Sequence, residues 1–264
     1  MKQRIITAVI GAALFIPIVW LGGLPFTLLV YAMAAIGLFE LLRMKGHTIF
    51  SVHGAIALLA LFVFLTPNQW SIPLMETTGY TKIDLALIAV LLLLIYTVVV
   101  KNRYTFEDAA FSIMGVLYIG IGFFYFIETR MDGIEYVIYA LLVIWTTDSG
   151  AYFTGKKFGK KKLWPDISPN KTIEGFIGGI LTAIIFALLF QWIYPISSSY
   201  TILVIVTILA SIFGQMGDLV ESALKRHYNV KDSGDILPGH GGILDRFDSL
   251  LFVLPLLHFL HFAG

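Results

Sequence analysis

The chain has 264 residues, a net charge of +1, 58% hydrophobic and 13% charged residues, and a mean hydropathy of +0.86. The near-neutral balance gives no global basic character to suggest a nucleic acid, and none is expected as a partner. The lack of cysteine excludes disulfides, thiol catalysis and thiolate metal sites.

The N-terminus, MKQRIITAVIGAALFIPIVWLGGLPF, is basic and then apolar, with no clear small-residue cleavage site, so it reads as a retained span rather than a signal peptide. A bilayer core of roughly 30 Å asks for about 20 helical residues. Apolar runs at 5–22, 25–42, 52–66, 84–100, 109–127, 134–150, 173–194, 200–222 and 248–262 meet or approach that length. The expected fold is all-α, a polytopic integral membrane protein of about nine transmembrane helices in one domain over 1–264. Within it, 1–130 would be scaffold with dimer contacts, and 131–264 would carry the cytoplasmic loops and the site.

Charge sets the orientation. Sixteen of the eighteen basic residues fall on the N-terminal side, from Lys2 and Arg4 to Arg246, leaving only Lys82 and Arg130 for the other. The positive-inside bias then predicts a cytoplasmic N-terminus, and nine spans put the C-terminus outside. The long loops 151–172 and 223–247 would both face the cytoplasm.

The sixth span leads into WTTDSGAYFTGKKFGKKKLWPDISPNKTIEGFIGG. Asp148 lies at or just inside the membrane boundary, where a carboxylate is costly; it reads as a metal ligand or an orienter of basic groups, or else as a wetted helix-end residue or one paired with a lysine. Five lysines within the eight residues of GKKFGKKK can anchor a span to anionic lipid, or funnel a phosphorylated substrate by the same physics. No GxxxxGK[ST] is present, which excludes a P-loop. Ser168 or Asn170 can begin a helix whose first turn holds Lys171 and Thr172, a setting suited to a phosphate oxygen. Glu174 reads as a structural complement to that helix's dipole. Gly175, Gly178 and Gly179 would permit close helix packing.

If the eighth span's helix continues beyond the membrane, Asp218, Glu221, Ser222 and Lys225 form one polar stripe. A loop with turn signals follows, and Asp245 and Asp248, three apart, would open the last span on one face. Capping is the bland reading of those two acids. Carboxylates without cysteine or a histidine cluster favour a hard cation, and Mg²⁺ needs only two or three of them beside water and phosphate oxygens. Lys225, Arg226, Lys231 and Arg246 could then hold phosphate. The combination describes a phosphoryl- or nucleotidyl-transfer site. His240 reads as loop structure or a phosphate contact, and His258 and His261 as packing or interfacial residues.

The stretch SALKRHYNVKDSGDILPGHGGILDRFDS resembles the signature of the phosphatidate cytidylyltransferases, also called CDP-diacylglycerol synthases. Its fixed positions are filled by Ser222, Lys225, Arg226, Lys231, Asp232, Pro238, His240, Gly241, Gly242, Asp245, Arg246 and Asp248. The resemblance covers the C-terminal half closely and the N-terminal half by hydropathy. It implies conversion of CTP and phosphatidate to CDP-diacylglycerol and pyrophosphate, in phospholipid biosynthesis at the cytoplasmic face of the cell membrane. It further implies Mg²⁺, with K⁺ as a second cation, around Asp218 and Asp245, and a homodimer.

On this reading Asp218, Asp245 and Asp248 hold the metal, while Lys171, Lys225, Arg226 and Arg246 neutralise phosphates. Asp148, Thr172, Ser222, Lys231, His240, Gly241 and Gly242 complete the substrate contacts. A transporter is the alternative from another class, since intramembrane acids typify ion pathways. Another Mg²⁺-dependent lipid-phosphate transferase is a second; the Asp-Gly-x-x-Ala-Arg pattern of CDP-alcohol phosphotransferases is absent.

Overall fold

A computed structural model describes residues 2–263; the side chains of 2–6 and 8 lie outside the description, Lys2 and Arg4 of the charge count among them. Two compact units divide the chain, Met1–Glu128 with Ser233–Ile243, and Thr129–Asp232 with Leu244–Gly264.

The first unit contains α1 (Lys2–Leu21), α2 (Gly23–Met44), α3 (Val52–Leu65), α4 (Asn68–Thr78), α5 (Lys82–Val99) and α6 (Phe106–Asp132), whose last turn belongs to the second unit. Side-chain caps begin several of these helices. Ser51 Oγ accepts from Gly54 N–H at 3.1 Å, and Thr81 and Asp84 exchange hydrogen bonds in a capping box. The core is apolar, with Phe26, Leu38, Leu61, Ile119 and Phe126 buried and Phe26 edge-on to Phe126 at 5.1 Å. Helix α4 was not legible in the sequence, because NQWSIPLMETT is too polar for a span; Asn68 ties it to Glu128, Nδ2 donating to Oε2 at 2.6 Å.

Among the described residues, five helices (α2, α5, α6, and Ile173–Ile193 and Tyr200–His227 described below) are long and apolar enough to cross a bilayer. The α3–α4 pair, bent by 103°, would make a sixth, and Val9–Leu21 and Leu250–Phe259 are shorter apolar segments. On α5, Ile83, Leu87, Leu91, Ile95 and Val98 are exposed, a face that needs lipid rather than water. The protein is an all-helical membrane protein apart from one small hairpin.

The second unit contains α7 (Ile134–Phe158), β1 (Lys162–Trp164), β2 (Ser168–Thr172), α8 (Ile173–Ile193), α9 (Tyr200–His227), α10 (Leu244–Phe247) and α11 (Leu250–Phe259). Helices α7 and α8 pack closely: a Cβ on Gly179 would lie 2.7 Å from the Thr147 carbonyl oxygen. Buried hydroxyl pairs join α7 to α9, Thr147 to Ser211 at 2.9 Å and Tyr139 to Thr207 at 2.8 Å. His258 on α11 packs as expected, 3.1 Å from Thr129 Oγ1.

Three local expectations are corrected. Asp148 is not a helix-end residue, because α7 continues ten residues further and closes with Lys156 and Lys157 at its negative end. Neither Ser168 nor Asn170 starts a helix. Pro169 lies within β2, which pairs antiparallel with β1 (Lys162 with Thr172, Trp164 with Ser168), and Thr172 caps α8 instead. Lys171 therefore presents a side chain from a strand, not a first-turn backbone amide. Finally, Asp245 and Asp248 do not open one continuous helix. Asp248 Oδ1 accepts from Ser249 N–H at 2.7 Å, taking a donor that a continuous helix would use, and the chain breaks between α10 and α11.

Candidate active site

In the second unit, a cleft of ≈ 610 Å³ opens between α7, the hairpin, α8 and α9. Asp148 and Lys156 line it from α7, Lys160 and Lys162 from the approach to β1 and β1 itself, Lys171 from β2 and Asp218 from α9. The hairpin is tied down at its base, where the Glu174 carboxylate accepts from the backbone N–H groups of Lys160 and Lys161 at 3.0 and 3.3 Å. Glu174 stands in the first turn of α8, where an acid complements the helix dipole, but these two amides are partners that its sequence position did not suggest. Thr172 is buried, and its Oγ1 accepts from Gly175 N–H at 3.1 Å, so its hydroxyl serves the start of α8.

The polar stripe of α9 is present. Ser222 Oγ donates to Asp218 Oδ1 at 3.2 Å, and Lys171 Nζ reaches Asp218 Oδ2 at 2.6 Å. Two turns further on, Lys225 Nζ lies 2.5 Å from Glu221 Oε2 and 2.6 Å from Asp245 Oδ1, with all three side chains largely buried. Asp245 thus comes to α9 through Lys225. Arg226 Nε donates to the Ile167 carbonyl at 3.4 Å, linking the end of α9 to the hairpin turn, while Lys231 and Arg246 are exposed.

Asp248 sits in the break between α10 and α11, close against α9. A Cβ on Gly217, next to Asp218, would fall 2.6 Å from the Asp248 carbonyl oxygen. Burial first, then the Asp218 carboxylate and to a smaller degree Asp148, raise the Asp248 carboxyl against the opposing Ser249 amide and Lys225, leaving it pushed up to about 7. Asp148, Asp218, Glu221, Asp245 and Asp248 therefore share the surroundings of two lysines, Lys171 and Lys225.

Among the described residues, no three His, Asp or Glu side chains already converge as a metal cage. The donor chemistry nevertheless fits a hard cation: carboxylate oxygens in excess over ammonium groups, near a cleft with room for phosphate and water oxygens.

His240, Gly241 and Gly242 belong to the first unit, within Ser233–Ile243. His240 N–H donates to the Leu237 carbonyl at 2.8 Å, and Gly239 and Gly241 take φ of 79° and 82°, forming a tight turn. The buried residue that meets this loop, Glu40 on α2, was passed over in the sequence. The available signal was a lone acid closing a charge-free run from Gly23 to Phe39.

Fold and cleft together define a helical membrane protein with acids and lysines gathered where phosphate groups could be held. Residues 2–263 match the Cytidylyltransferase family, and the chain belongs to that family. It is 57% identical over 263 residues to the phosphatidate cytidylyltransferase of Bacillus subtilis (strain 168), covering 98% of this chain and 97% of that one. It is 50% identical over 260 residues to the phosphatidate cytidylyltransferase of Staphylococcus haemolyticus (strain JCSC1435), covering 98% of each. The same identity holds over 261 residues for the phosphatidate cytidylyltransferase of Staphylococcus aureus (strain COL), again covering 98% of each chain.

Proposed function

We propose that the protein is a nucleotidyltransferase that moves the cytidylyl group of CTP to phosphatidate, giving CDP-diacylglycerol and pyrophosphate for phospholipid biosynthesis. The observation that carries this reading is the end-to-end likeness to the Bacillus phosphatidate cytidylyltransferase, 57% identical over 263 residues. The cleft supports it independently, since a soluble polyphosphate and a two-tailed acceptor both need a polar site among lipid-facing helices.

A phosphatidate phosphate oxygen attacks the α-phosphorus of CTP; a new P–O bond forms as the bond from that phosphorus to the β-phosphate oxygen breaks. The nucleophile is already ionised near neutral pH, so no strong base is required. Catalysis then rests on positioning and charge neutralisation. Lys171, with the lysines of the cleft wall, neutralises phosphate oxygens, and Arg226 and Arg246 add cationic groups. Lys225 sets Asp245. Asp218, Asp245 and Asp248 would hold Mg²⁺, with K⁺ as a second cation. When bound, Mg²⁺ neutralises charge on the polyphosphate and the departing pyrophosphate. Lys171 then exchanges its carboxylate partner, Asp218, for a phosphate, so its charge stays paired.

The same reading places nine spans in the plasma membrane with the N-terminus and the cleft cytoplasmic, because CTP is supplied there and sixteen of eighteen basic residues fall on that side. It also takes the protein as a homodimer. Purified protein in detergent, given Mg²⁺, CTP and phosphatidate, should release pyrophosphate in step with CDP-diacylglycerol; no release at any Mg²⁺ concentration rejects the function. Tags at the two termini should label from opposite faces, and light scattering of the detergent complex should return two copies.

A further inference from the structure

Glu40 is the one charged residue in the first eighteen positions of α2, and its side chain is 2% exposed. A buried carboxylate is costly unless donors surround it. Here donors come from a segment some two hundred residues away in the chain. Glu40 Oε2 accepts from Ser233 Oγ at 3.1 Å, and Oε1 accepts from Ile243 N–H at 2.9 Å. These two donors are the first and last residues of the Ser233–Ile243 loop.

The loop's glycines fit the same carboxylate. A Cβ on Gly234 would lie 2.6 Å from Glu40 Oε1, and one on Gly242 would overlap both that oxygen and Ser233 Oγ. Side chains at either position would push the loop off the carboxylate. Between the two anchored ends, Leu237 N–H donates to the Gly241 carbonyl at 3.0 Å, closing the turn that bears His240. An acceptor-only group with two oxygens suits this place. Glutamine would present an NH₂ to one of the two donors.

We infer that Glu40 is a positioning residue for the Pro238-Gly239-His240-Gly241-Gly242 loop, holding both of its ends through one buried carboxylate. The inference rests on the proposed cytidylyl transfer for its catalytic consequence. In the sequence, Lys231 stands two residues before the first anchor and Asp245 two residues after the second. Glu40 therefore holds together the two ends of the loop that the chain makes between these two groups.

The test compares the wild type with Glu40→Gln, Glu40→Ala and Ser233→Ala in detergent. It reads kcat, KM for CTP and for phosphatidate, thermal unfolding, and tryptic cleavage after Lys231. For Glu40→Gln the expected result is a kcat lower by about 10–100-fold, the range for losing a supporting hydrogen-bond partner. Both KM values should stay within about threefold, the unfolding temperature should be close to wild type, and cleavage after Lys231 should be faster. Combining Glu40→Gln with Ser233→Ala should cost less than the product of the two single effects, because both loosen one anchor. Wild-type kcat in Glu40→Gln overturns the inference, as does a loss that merely tracks the fraction of unfolded protein. If Glu40→Ala fails to fold, Glu40→Gln still decides. If the wild type itself makes no CDP-diacylglycerol, the proposed reaction fails, while cleavage after Lys231 still judges the anchor: faster in Glu40→Gln supports it, unchanged overturns it.

Discussion

The ammonium of Lys171 lies 2.6 Å from Asp218 Oδ2, so a strand of the hairpin grips the polar face of α9 across the mouth of the cleft. Both side chains are partly exposed, at 26% and 35%, so the pair adds little stability, about 0–1 kcal/mol. Its value lies in a cation held ready for a phosphate. A charge-assisted hydrogen bond is worth about 1.5–3 kcal/mol, or roughly a tenfold to hundredfold change. Lys171→Met should therefore lower kcat/KM for CTP by about that factor and leave thermal unfolding nearly unchanged. Pyrophosphate release and a melting curve on the same sample check both halves.

Lys225 should behave in the opposite way. Its ammonium is shared by Glu221 and Asp245, with side-chain exposures of 13%, 3% and 5%. Lys225→Met leaves two buried carboxylates without their cation, a defect of about 3–5 kcal/mol. The variant should unfold well below the wild type, and activity should vanish with the fold. Asp245→Asn keeps an oxygen for Lys225, so it should insert and melt near normally while losing synthesis. A Lys225→Met protein that melts like the wild type would show that the triad is open to water.

What could be read in the sequence follows the range of the interactions. The stripe from Asp218 to Lys225 was legible because its partners are four residues apart on one helix. The membrane class was legible from apolar runs alone. The hairpin was not, because Ser168 and Asn170 are cap residues by type, and only pairing with Lys162–Trp164 makes their segment extended. Nor was the break at Asp248, which depends on one carboxylate choosing the next residue's amide. Glu40 was missed for the plainest reason: its partners lie 193 and 203 residues away.

The raised pKa of Asp248 gives a pH test. Burial and neighbouring acids lift its carboxyl to about 7 in the folded protein, against the usual 3.8. The folded state thus holds a proton that the unfolded state releases earlier, so stability falls as pH rises between about 4 and 7 and is level above. In chelator, this contribution should lower the melting temperature between pH 5 and 7.5, and Asp248→Asn should flatten that part of the slope. Added Mg²⁺ should restore the wild type most strongly above pH 7, where the carboxylate is free of its proton. Equal slopes for wild type and Asp248→Asn in chelator would remove Asp248 from the account.

Gly217 and Gly214 lie one turn apart on α9 and face the same neighbouring segment, but they meet different atoms. A Cβ on Gly217 would fall 2.6 Å from the Asp248 carbonyl oxygen, whereas one on Gly214 would first meet the Val253 Cγ2 methyl at 3.3 Å. A backbone oxygen cannot rotate away, so Gly217→Ala must force the α10–α11 break off α9. The expected cost is about 1–3 kcal/mol, with a fall in kcat as Asp248 moves from Asp218. At Gly214 the side chain can yield, and alanine's better helix propensity, worth up to about 1 kcal/mol, offsets the crowding. Gly214→Ala should keep wild-type kcat and melt within a few degrees of the wild type. Melting curves and pyrophosphate release for the two variants side by side separate a close approach that the site requires from one that only packs. Equal behaviour would mean that the nearness of Asp248 to α9 has no catalytic consequence.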